Sequence, residues 1–488
     1  MAAVFAVACV VVGRRHRNRW IGGPFYALAA LVMIEVAPSP WLQRDDAGRE
    51  LEFPVRVART EVLGHAMSVQ LGIYAALACG LLVASALGRG RPTEGSYRAP
   101  ATVCKRAVTP ALAVTAVGAL CVLIVLAFLL PSGVGALAKR EAFVNEDATS
   151  SGLYGWAFSF APLLFTGGLA LIALSRPLDG PVRLGRQRIG VTAAVAYVGY
   201  QALIGGRGRV IFAVAAVALV VHHSGRRIRI RHGVLIAAAL IAALGYISAA
   251  RFDGSSGLAG VPGQVLANKR IHDVAYMVEA VPGDIDRAGL GTITAGLSHT
   301  VPVVAIPGTV NPSDYVSVEL LGVSIYRGNA ATNYATAAEL YLSVTYPIAL
   351  LVAIGYGLFF GLVLDLCGRR RSPFTLLVAV FAAVAFWQGA SARMPSQLGA
   401  FLTLAFLPAA AIAASAQRHR AARDTLIYAT VTAVFASEAF AAMGLGILAW
   451  AARGAAAVLL VSAYVGAVLA LRSTDRGRAA SAAELVSA

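Results

Sequence analysis

Long apolar runs separated by short polar loops make up most of this chain. The first run, Ala2–Val12, is short for a span and is followed by the basic segment RRHRNR, so we count it as a weak first helix. Because a span needs roughly 20 predominantly apolar residues, the runs together predict about 13 transmembrane helices. The later runs fall near 20–38, 64–88, 108–131, 153–175, 189–205, 209–223, 233–250, 337–365, 373–390, 397–416, 425–449 and 454–471.

One long break interrupts the apolar pattern between residues 251 and 336. It is rich in Gly and Pro, yet it carries enough apolar side chains, Tyr276 and Met277 among them, to fold onto the membrane helices. A loop of this length is usually functional or disordered, and we expect a structured lid. The predicted fold is an all-α polytopic membrane protein with one long structured external loop between its eighth and ninth helices. The predicted parts are the N-terminal helices (1–250), the external loop (251–336), the C-terminal helices (337–472) and a cytoplasmic tail (473–488).

Composition and charge distribution fix the class of protein and its orientation. Of the 488 residues, 58% are hydrophobic and 13% charged, with a mean hydropathy of +0.72. Soluble domains are far more polar than this. The basic residues behind the formal charge of +17 lie mostly in every second loop along the chain, and these loops share one side of the membrane. The positive-inside rule assigns that side to the cytoplasm. The long loop is then external and the C-terminus cytoplasmic, and no nucleic-acid partner is expected.

No familiar cofactor or metal motif appears in the sequence. None of the five cysteines lies in a predicted external loop, so we expect neither a disulfide framework nor a Cys-X-X-Cys metal site. Walker, dinucleotide-binding and His-Glu-X-X-His motifs are also missing in any usable context. The sequence therefore predicts chemistry on an already activated substrate at the outer face of the membrane.

Arginines on the predicted external side are exceptions to the positive-inside rule and are the first candidates for a binding site. Arg207 and Arg209 lie in the sequence GGRGR between two short helices. Guanidinium groups bind phosphate through two hydrogen bonds and keep their charge when desolvated, so a cluster of them predicts a phosphate-bearing or acidic ligand. The alternative is that they reach lipid headgroups or pair with loop carboxylates. The other external cations considered are Arg251, Arg393 and, in the long loop, Lys269, Arg270, Arg287 and Arg327.

Three residues are candidates for acid–base chemistry. His299 lies in the apolar stretch AGLSHTVPVV, where it is either a general base near neutral pH or a buried, hydrogen-bonded histidine. Asp253 lies at the membrane edge, near the start of the long loop. Glu339 lies where the chain returns to the membrane, and because a carboxylate in lipid costs several kcal/mol, we expect it to face protein or a water-filled cavity.

Two further features favour other classes of protein. Glu438 lies in the middle of a predicted span, where an ionisable group either relays protons in a transporter or bonds to a neighbouring helix. The pair Asp45–Asp46, in the first external loop, is either surface or the acidic pair of a metal-dependent glycosyltransferase. Both alternatives stay open on the sequence.

Several of these features occur together in one known family. Two short helices meet at an external Arg-Gly-Arg, a basic cytoplasmic loop and one large external loop follow, and TNYATAAELYLSVTYP leads into a helix with spaced glycines (Gly355, Gly357, Gly361). With IPGTVNPSDYVSVELLG before that helix, the arrangement resembles the O-antigen polymerase (Wzy-type) and O-antigen ligase superfamily, in particular its oligosaccharide repeat unit polymerases. The resemblance covers roughly residues 190–365. It departs where the family's usual Asn-Phe-Gly reads Ser-Val-Thr, at 343–345.

The resemblance implies a bacterial glycosyltransferase that joins oligosaccharide repeat units carried on undecaprenyl pyrophosphate, outside the plasma membrane and without metal or cofactor. In such enzymes arginines hold the pyrophosphate and stabilise it as the leaving group, while a base deprotonates the acceptor hydroxyl. The implied partners are the lipid-linked oligosaccharide, membrane lipids, a flippase and a chain-length regulator. A ligase of finished glycans and a transporter or flippase of anionic lipid-linked substrates remain as rivals.

The site residues follow from the external arginines and from the resemblance together. Arg207 and Arg209 match the family's hairpin arginines, Arg251 matches its helix-end arginine, and His299 matches the ligase loop histidine by location. The predicted pyrophosphate-binding residues are Arg207, Arg209, Arg251, Arg270, Arg327 and Arg393, and the predicted catalytic residues are His299, Glu339 and Asp253.

Overall fold

A computed structural model shows how most of the apolar helices are arranged. It describes residues 1–16, 19–36, 60–88, 101–132, 152–175, 180–204, 207–223, 269–281, 283, 286–293, 335–369 and 372–416. Several predicted features lie outside these residues, namely the spans near 233–250, 425–449 and 454–471, the tail 473–488, and Asp45–Asp46, Arg251, Asp253, His299, Arg327 and Glu438.

The regular secondary structure of the described residues is helical throughout, which confirms the all-α fold. A 3₁₀ turn at Leu130–Ser132 and a π-helical turn at Leu402–Phe406 extend two of the helices. The α-helices are α1 (Ala2–Arg15), α2 (Arg19–Glu35), α3 (Thr60–Leu87), α4 (Ala101–Leu129), α5 (Gly152–Phe160), α6 (Leu163–Ser175), α7 (Gly180–Leu203), α8 (Arg207–His223), α9 (Lys269–Ala280), α10 (Thr336–Ser343), α11 (Tyr346–Arg369), α12 (Pro373–Ser391), α13 (Met394–Phe401) and α14 (Leu407–Ala416).

Six helical stretches among the described residues are long and apolar enough to cross a membrane, as a polytopic membrane protein requires. Two shorter apolar stretches, in α2 and α8, accompany them. Along α4 the side chains of Val117, Leu120 and Leu123 point outward and are exposed, as expected of a helix that faces lipid. The six stretches are Val62–Leu87, Ala101–Leu129, Ala157–Ser175, Tyr346–Arg369, Pro373–Ser391 and Met394–Ala413.

Two helices, α6 and α12, form the centre of the bundle. Thirteen of the 19 residues of α12 are buried, and every residue of α6 from Leu164 to Ser175 is buried. A helix that is apolar all round has to be surrounded by other helices or by lipid. α12 contacts α2, α6, α8, α11 and α13, whereas α4 packs from the outside against α5, α6 and α14.

The chain breaks inside the predicted span 337–365, so the predicted start of that span is wrong. α10 ends at Ser343, Val344 is extended, and a separate helix suitable for spanning begins at Tyr346. The break has two local causes. The Ser343 hydroxyl donates to the carbonyl of Glu339 at 2.6 Å, and Pro347, which lacks an N–H, is favoured in the first turn of a new helix. Glu339 therefore lies outside the membrane-spanning segment.

Helix α9, from the long break in hydrophobicity, packs on the membrane helices. Its side chains Ile271, Val274, Ala275 and Met277 are buried, and their spacing of three and four residues places them on one face. That helix contacts α3 and α10. The described part of the stretch 251–336 therefore folds onto the bundle.

Helices α3 and α11 pack closely because glycines stand where they cross. A Cβ atom added at Gly80 would overlap the backbone of α11, and one added at Gly357 would overlap the Leu77 carbonyl of α3. Small residues allow membrane helices to approach until their backbones touch. Gly355, on the same helix as Gly357, is surrounded by open space.

We expect Gly357→Ala to destabilise the protein, because the added methyl group forces α3 and α11 apart. Overpacking of this kind costs about 1–3 kcal/mol, and it is measured as a lower midpoint of thermal unfolding in detergent. Gly355→Ala is the matched control, and its midpoint should stay unchanged or rise slightly, since Ala is the better helix former. Equal losses in the two variants would contradict the close packing at Gly357.

Candidate functional site

The last residues of α2 and α12 are hydrogen-bonded to each other, so these helices end side by side. The Ser391 hydroxyl donates to Glu35 Oε1 at 2.7 Å. Glu35 Oε2 accepts from the Tyr74 hydroxyl and, at 3.3 Å, from Gln70 Nε2. Gln70 and Tyr74 are one turn apart on α3, so they face the same neighbour. Glu35 is only 5% exposed, and we call this end of the bundle the Glu35 end.

Helix α8 runs antiparallel to α2 and α12. Near its start, Phe212 meets Trp387, near the end of α12, with ring centroids 5.1 Å apart. At its end, His223 stacks on Trp20, at the start of α2, with centroids 4.5 Å apart. The first residues of α8 therefore lie at the Glu35 end.

The arginine at the start of α8 is level with the carboxylate at the end of α2. Helices rise 1.5 Å per residue, so Arg209 lies about 21 Å from His223, and Glu35 lies about 22 Å from Trp20. Because His223 and Trp20 are in contact, Arg209 and Glu35 reach nearly the same height. A cation of the GGRGR sequence and a buried carboxylate thus share one end of the bundle.

A short turn, Ser391–Arg393, also holds a second buried carboxylate, that of Glu339. Ala392 pairs with Ala335, the residue before α10, in an antiparallel bridge. Arg393 has φ 54° and ψ 49°, a left-handed conformation that few residues other than Gly adopt. Its backbone N–H is hydrogen-bonded to the Glu339 carboxyl, and its charge acts on the same group.

Glu339 faces protein, in agreement with the expectation from the sequence, and is 4% exposed. Burial raises the pKa of Glu339 to about 7, while the positive charge and the backbone N–H of Arg393 act in the opposite direction. Its Oε2 has no hydrogen-bond partner among the described residues. The site therefore contains a carboxyl group that titrates near neutral pH and has one oxygen left to accept a proton, as a general base requires.

Side-chain hydrogen bonds hold α10, and with it Glu339, in place. At its start, the Thr336 hydroxyl donates to the Gly389 carbonyl of α12 at 2.6 Å. At its end, the Thr292 hydroxyl donates to the Ser343 hydroxyl at 2.5 Å. The carboxyl of Glu339 is thus fixed between two anchored ends.

Arg287, one of the external cations in the sequence, is used to cap α10. Its Nη1 donates to the carbonyls of Tyr341 and Val344 at 2.6 and 2.7 Å, and its guanidinium lies 5.1 Å from the centre of the Tyr341 ring. The last carbonyls of a helix lack partners within the helix, and a basic side chain can satisfy them. The considered role of Arg287 in an anion site is therefore replaced by this structural one.

The Arg209 side chain is exposed and lies against the aromatic ring of Phe158. Its guanidinium is 5.3 Å from the centre of the Phe158 ring, a distance at which cation and ring attract each other. Its charge also acts on the phenol groups of Tyr154, Tyr197 and Tyr200. An exposed guanidinium held in this way is positioned to meet an anionic ligand.

The structure brings three of the predicted site residues to the Glu35 end, namely Glu339, Arg209 and Arg393. Arg207 is the first residue of α8 and Arg270 the second residue of α9; their side chains lie outside the described part of the structure. The remaining predicted residues, Arg251, Asp253, His299 and Arg327, also lie outside it.

Sequence reasoning missed the four residues of the Glu35 network, namely Glu35, Gln70, Tyr74 and Ser391. A signal for Glu35 was available. It is an ionisable residue inside the predicted span 20–38, and such residues face protein or a functional cavity as a rule. Gln70 and Tyr74, spaced four apart in another span, could then have been proposed as its partners.

Comparisons with known proteins give no relative for this chain. A scan against protein-family models, a search of curated proteins and a search of solved structures each found no match. Within the described residues, no group of three or more His, Cys, Asp and Glu side chains is placed to hold a metal ion. The candidate site therefore rests on its own geometry.

The Glu35 end combines a buried proton acceptor with an exposed cation. Glu339 can take a proton from a hydroxyl group, and Arg393 beside it stabilises the carboxylate form. Arg209 can bind a phosphate-bearing group at the same level of the bundle. Together these groups suit the transfer of a phosphate-activated group to a hydroxyl.

We expect Glu339→Gln to stabilise the protein at alkaline pH. The folded-state pKa of about 7 lies above the ordinary value of 4.5, so the folded protein holds this proton more tightly than the unfolded chain. Stability is then greatest below about pH 4.5 and falls as pH rises to about 7, by up to about 3 kcal/mol. The neutral amide avoids this loss, so the unfolding midpoint should exceed that of the native protein at pH 8 and resemble it at pH 4.5.

Glu279→Gln provides the matched control, since Glu279 is exposed on α9. The same chemical change there should leave the native protein's pH dependence of unfolding as it is. Identical midpoints for Glu339→Gln and the native protein at pH 8 would contradict a desolvated carboxylate at Glu339.

Proposed function

We propose that this protein is a polymerase that joins undecaprenyl-pyrophosphate-linked oligosaccharide repeat units at the outer face of a bacterial plasma membrane. The observation that carries the proposal is the presence of two groups at the Glu35 end. One is the buried Glu339 carboxyl beside Arg393, and the other is the exposed Arg209. The positive-inside rule supports an external location for this end.

In this reaction Arg209, with Arg207 beside it in sequence, holds the pyrophosphate of the donor. The oxygen of an acceptor hydroxyl attacks the anomeric carbon of the donor sugar, and the bond from that carbon to the pyrophosphate oxygen breaks. The pyrophosphate leaves with the bonding electron pair, and guanidinium groups stabilise its charge. The acceptor's proton goes to the Glu339 carboxylate.

Glu339 is proposed as the base because its environment suits the task. A base works best when its pKa is near the working pH, and burial brings the pKa of Glu339 to about 7. Arg393 offsets part of the cost of ionising the carboxyl, so enough carboxylate is present at neutral pH. Asp253 and His299 remain alternative bases proposed from the sequence.

We expect the purified full-length chain in nanodiscs to lengthen short undecaprenyl-pyrophosphate glycans in the presence of EDTA, giving a ladder of longer lipid-linked products. Arg209→Ala should reduce product formation by about 100-fold or more, the usual effect of removing one preorganised group that stabilises developing charge. Arg188→Ala is the matched control, because Arg188 is an exposed arginine of α7 near the opposite end of the bundle, and it should retain the native rate.

Glu339→Gln separates the base from the binding groups. This variant should still bind the donor lipid but should form no ladder, because the amide cannot accept the proton. A full ladder from Glu339→Gln or from Arg209→Ala would contradict the assigned roles.

The same assay distinguishes the rival functions. Donor binding without lengthening would indicate the ligase, to be tested with an added acceptor of another kind. Neither binding nor product would refute the polymerase and direct attention to transport, with Glu438 as the residue to substitute.

A further inference from the structure

Glu35 connects three helices to the turn that carries Arg393. Its Oε1 accepts from Ser391 at 2.7 Å, and its Oε2 accepts from Tyr74 and Gln70 of α3. Gln70 Nε2 also lies 2.6 Å from the Tyr74 hydroxyl. All three donors belong to α3 or to the end of α12, so the carboxylate ties the end of α12 to two neighbouring helices.

The turn after Ser391 needs such a tether because its backbone is unfavourable by itself. Arg393 adopts the left-handed region at φ 54°, which is sterically unfavourable for a residue with a side chain. Strained conformations persist only where surrounding contacts impose them. The two residues before Arg393 are both held: Ala392 by its bridge to Ala335, and Ser391 by its hydrogen bond to Glu35.

The position of Arg393 sets the electrostatic environment of the Glu339 carboxyl. The backbone N–H of Arg393 and its positive charge both act on the Glu339 carboxyl. Both come from one residue, so a displacement of the turn would weaken both together. The hydrogen bond from Ser391 to Glu35 lies two residues before Arg393 in the same turn.

We propose that Glu35 is a positioning residue, whose hydrogen bond to Ser391 holds the turn Ser391–Arg393 so that Arg393 stays against Glu339. Glu35 touches no reacting atom in this role; it acts through the turn. Its importance for glycan transfer rests on the proposed function, whereas the mechanical link between Glu35 and Glu339 does not.

Packing alone does not account for this network. Glu35, Gln70 and Ser391 are polar groups inside an apolar bundle, and apolar side chains of similar size at such positions are often neutral or stabilising. Glu35 and Gln70 are 5% and 1% exposed. The network instead fixes the position of the turn. Buried polar networks whose hydrogen bonds are satisfied can specify a single arrangement of the chain.

Other ionisable groups around Glu339 have to be considered before a change in its titration is assigned to Arg393. The described ionisable side chains on α10 and on the helices packed against it are Tyr341 of α10, His65, Tyr74 and Cys79 of α3, Tyr276 and Glu279 of α9, and Tyr346, Tyr356, Asp365, Cys367 and Arg369 of α11. Arg287 is bonded to the end of α10. Lys269, Arg270, His272 and Asp273 also belong to α9. Among the groups whose side chains the structure describes, Arg393 is the one that acts on the Glu339 carboxyl.

The test is an infrared titration of the full-length chain in nanodiscs, in which the C=O band of protonated Glu339 is identified by its loss in Glu339→Gln. Burial raises the pKa of Glu339 and Arg393 lowers it, so releasing the turn while the carboxyl stays buried raises that pKa. We expect Ser391→Ala to move the titration midpoint to higher pH, by about half a unit or more. Ser391→Thr retains the hydroxyl and should restore the native midpoint.

Tyr356→Phe is the matched control for the loss of a buried hydroxyl. Tyr356 is 5% exposed and donates to the Ala385 carbonyl of α12 at 2.8 Å. The variant therefore also removes one hydrogen bond to α12, made six residues before Ser391. Its midpoint should equal the native one. Tyr74→Phe, which takes one donor from Glu35 and leaves Ser391 intact, should shift the midpoint in the same direction as Ser391→Ala, by a smaller amount.

Unchanged midpoints in both Ser391→Ala and Tyr74→Phe would overturn the proposal, as would an equal shift in Tyr356→Phe. The titration needs no glycan substrate, so it stands even if the native protein makes no lipid-linked ladder. That second result would refute the polymerase and leave the positioning role of Glu35 to be decided by the infrared midpoints.

Discussion

A carboxylate is stable inside a bundle of apolar helices only where other groups donate hydrogen bonds to it or carry the opposite charge. This constraint determines the arrangement of side chains at the Glu35 end. An unpaired buried charge costs far more than one hydrogen bond returns. Glu35 meets the condition through three donors from two helices. Glu339 meets it in part, through Arg393, and keeps one oxygen without a partner among the described residues. The two carboxylates differ in this respect although the same turn serves both.

That difference suggests a division of labour. A fully hydrogen-bonded carboxylate is a poor proton acceptor and a good anchor, whereas a desolvated one with a vacant oxygen is suited to proton transfer. Active sites often contain two carboxyl groups whose surroundings push them towards different roles. In the proposed reaction the anchor is Glu35, the last residue of α2, and the reactive group is Glu339. Glu35 holds the turn Ser391–Arg393 in its place, and the turn holds Arg393 against Glu339.

The sequence predicted the class of fold and part of the site. Apolar runs gave the helices, and the positive-inside exceptions pointed to Arg209 and Arg393 at one end. The limits are physical. α6 and α12 are apolar all round, so their periodicity says nothing about which helix lies on which side. The break at Val344 depends on the Ser343 hydroxyl and on Pro347 together. A hydropathy profile averages over many residues, so it does not reveal a break caused by these two. Arg287 was considered among the external cations of an anion site, because the sequence does not show that its guanidinium is hydrogen-bonded to carbonyls at the end of α10.

The placement of the arginines also bears on the choice between a transferase and a transporter. A transporter moves its anionic cargo through the bundle, so it needs cations or polar groups along the path between the two ends. In the described helices the cation of the GGRGR sequence is exposed and stays at the Glu35 end, while the centre of the bundle, α6 and α12, is buried and almost wholly apolar. A lipid-linked substrate that enters from the membrane would keep its polyprenyl chain beside apolar helices, with its pyrophosphate at Arg209. Chemistry confined to one surface requires no polar path, so the described helices are compatible with the proposed transferase.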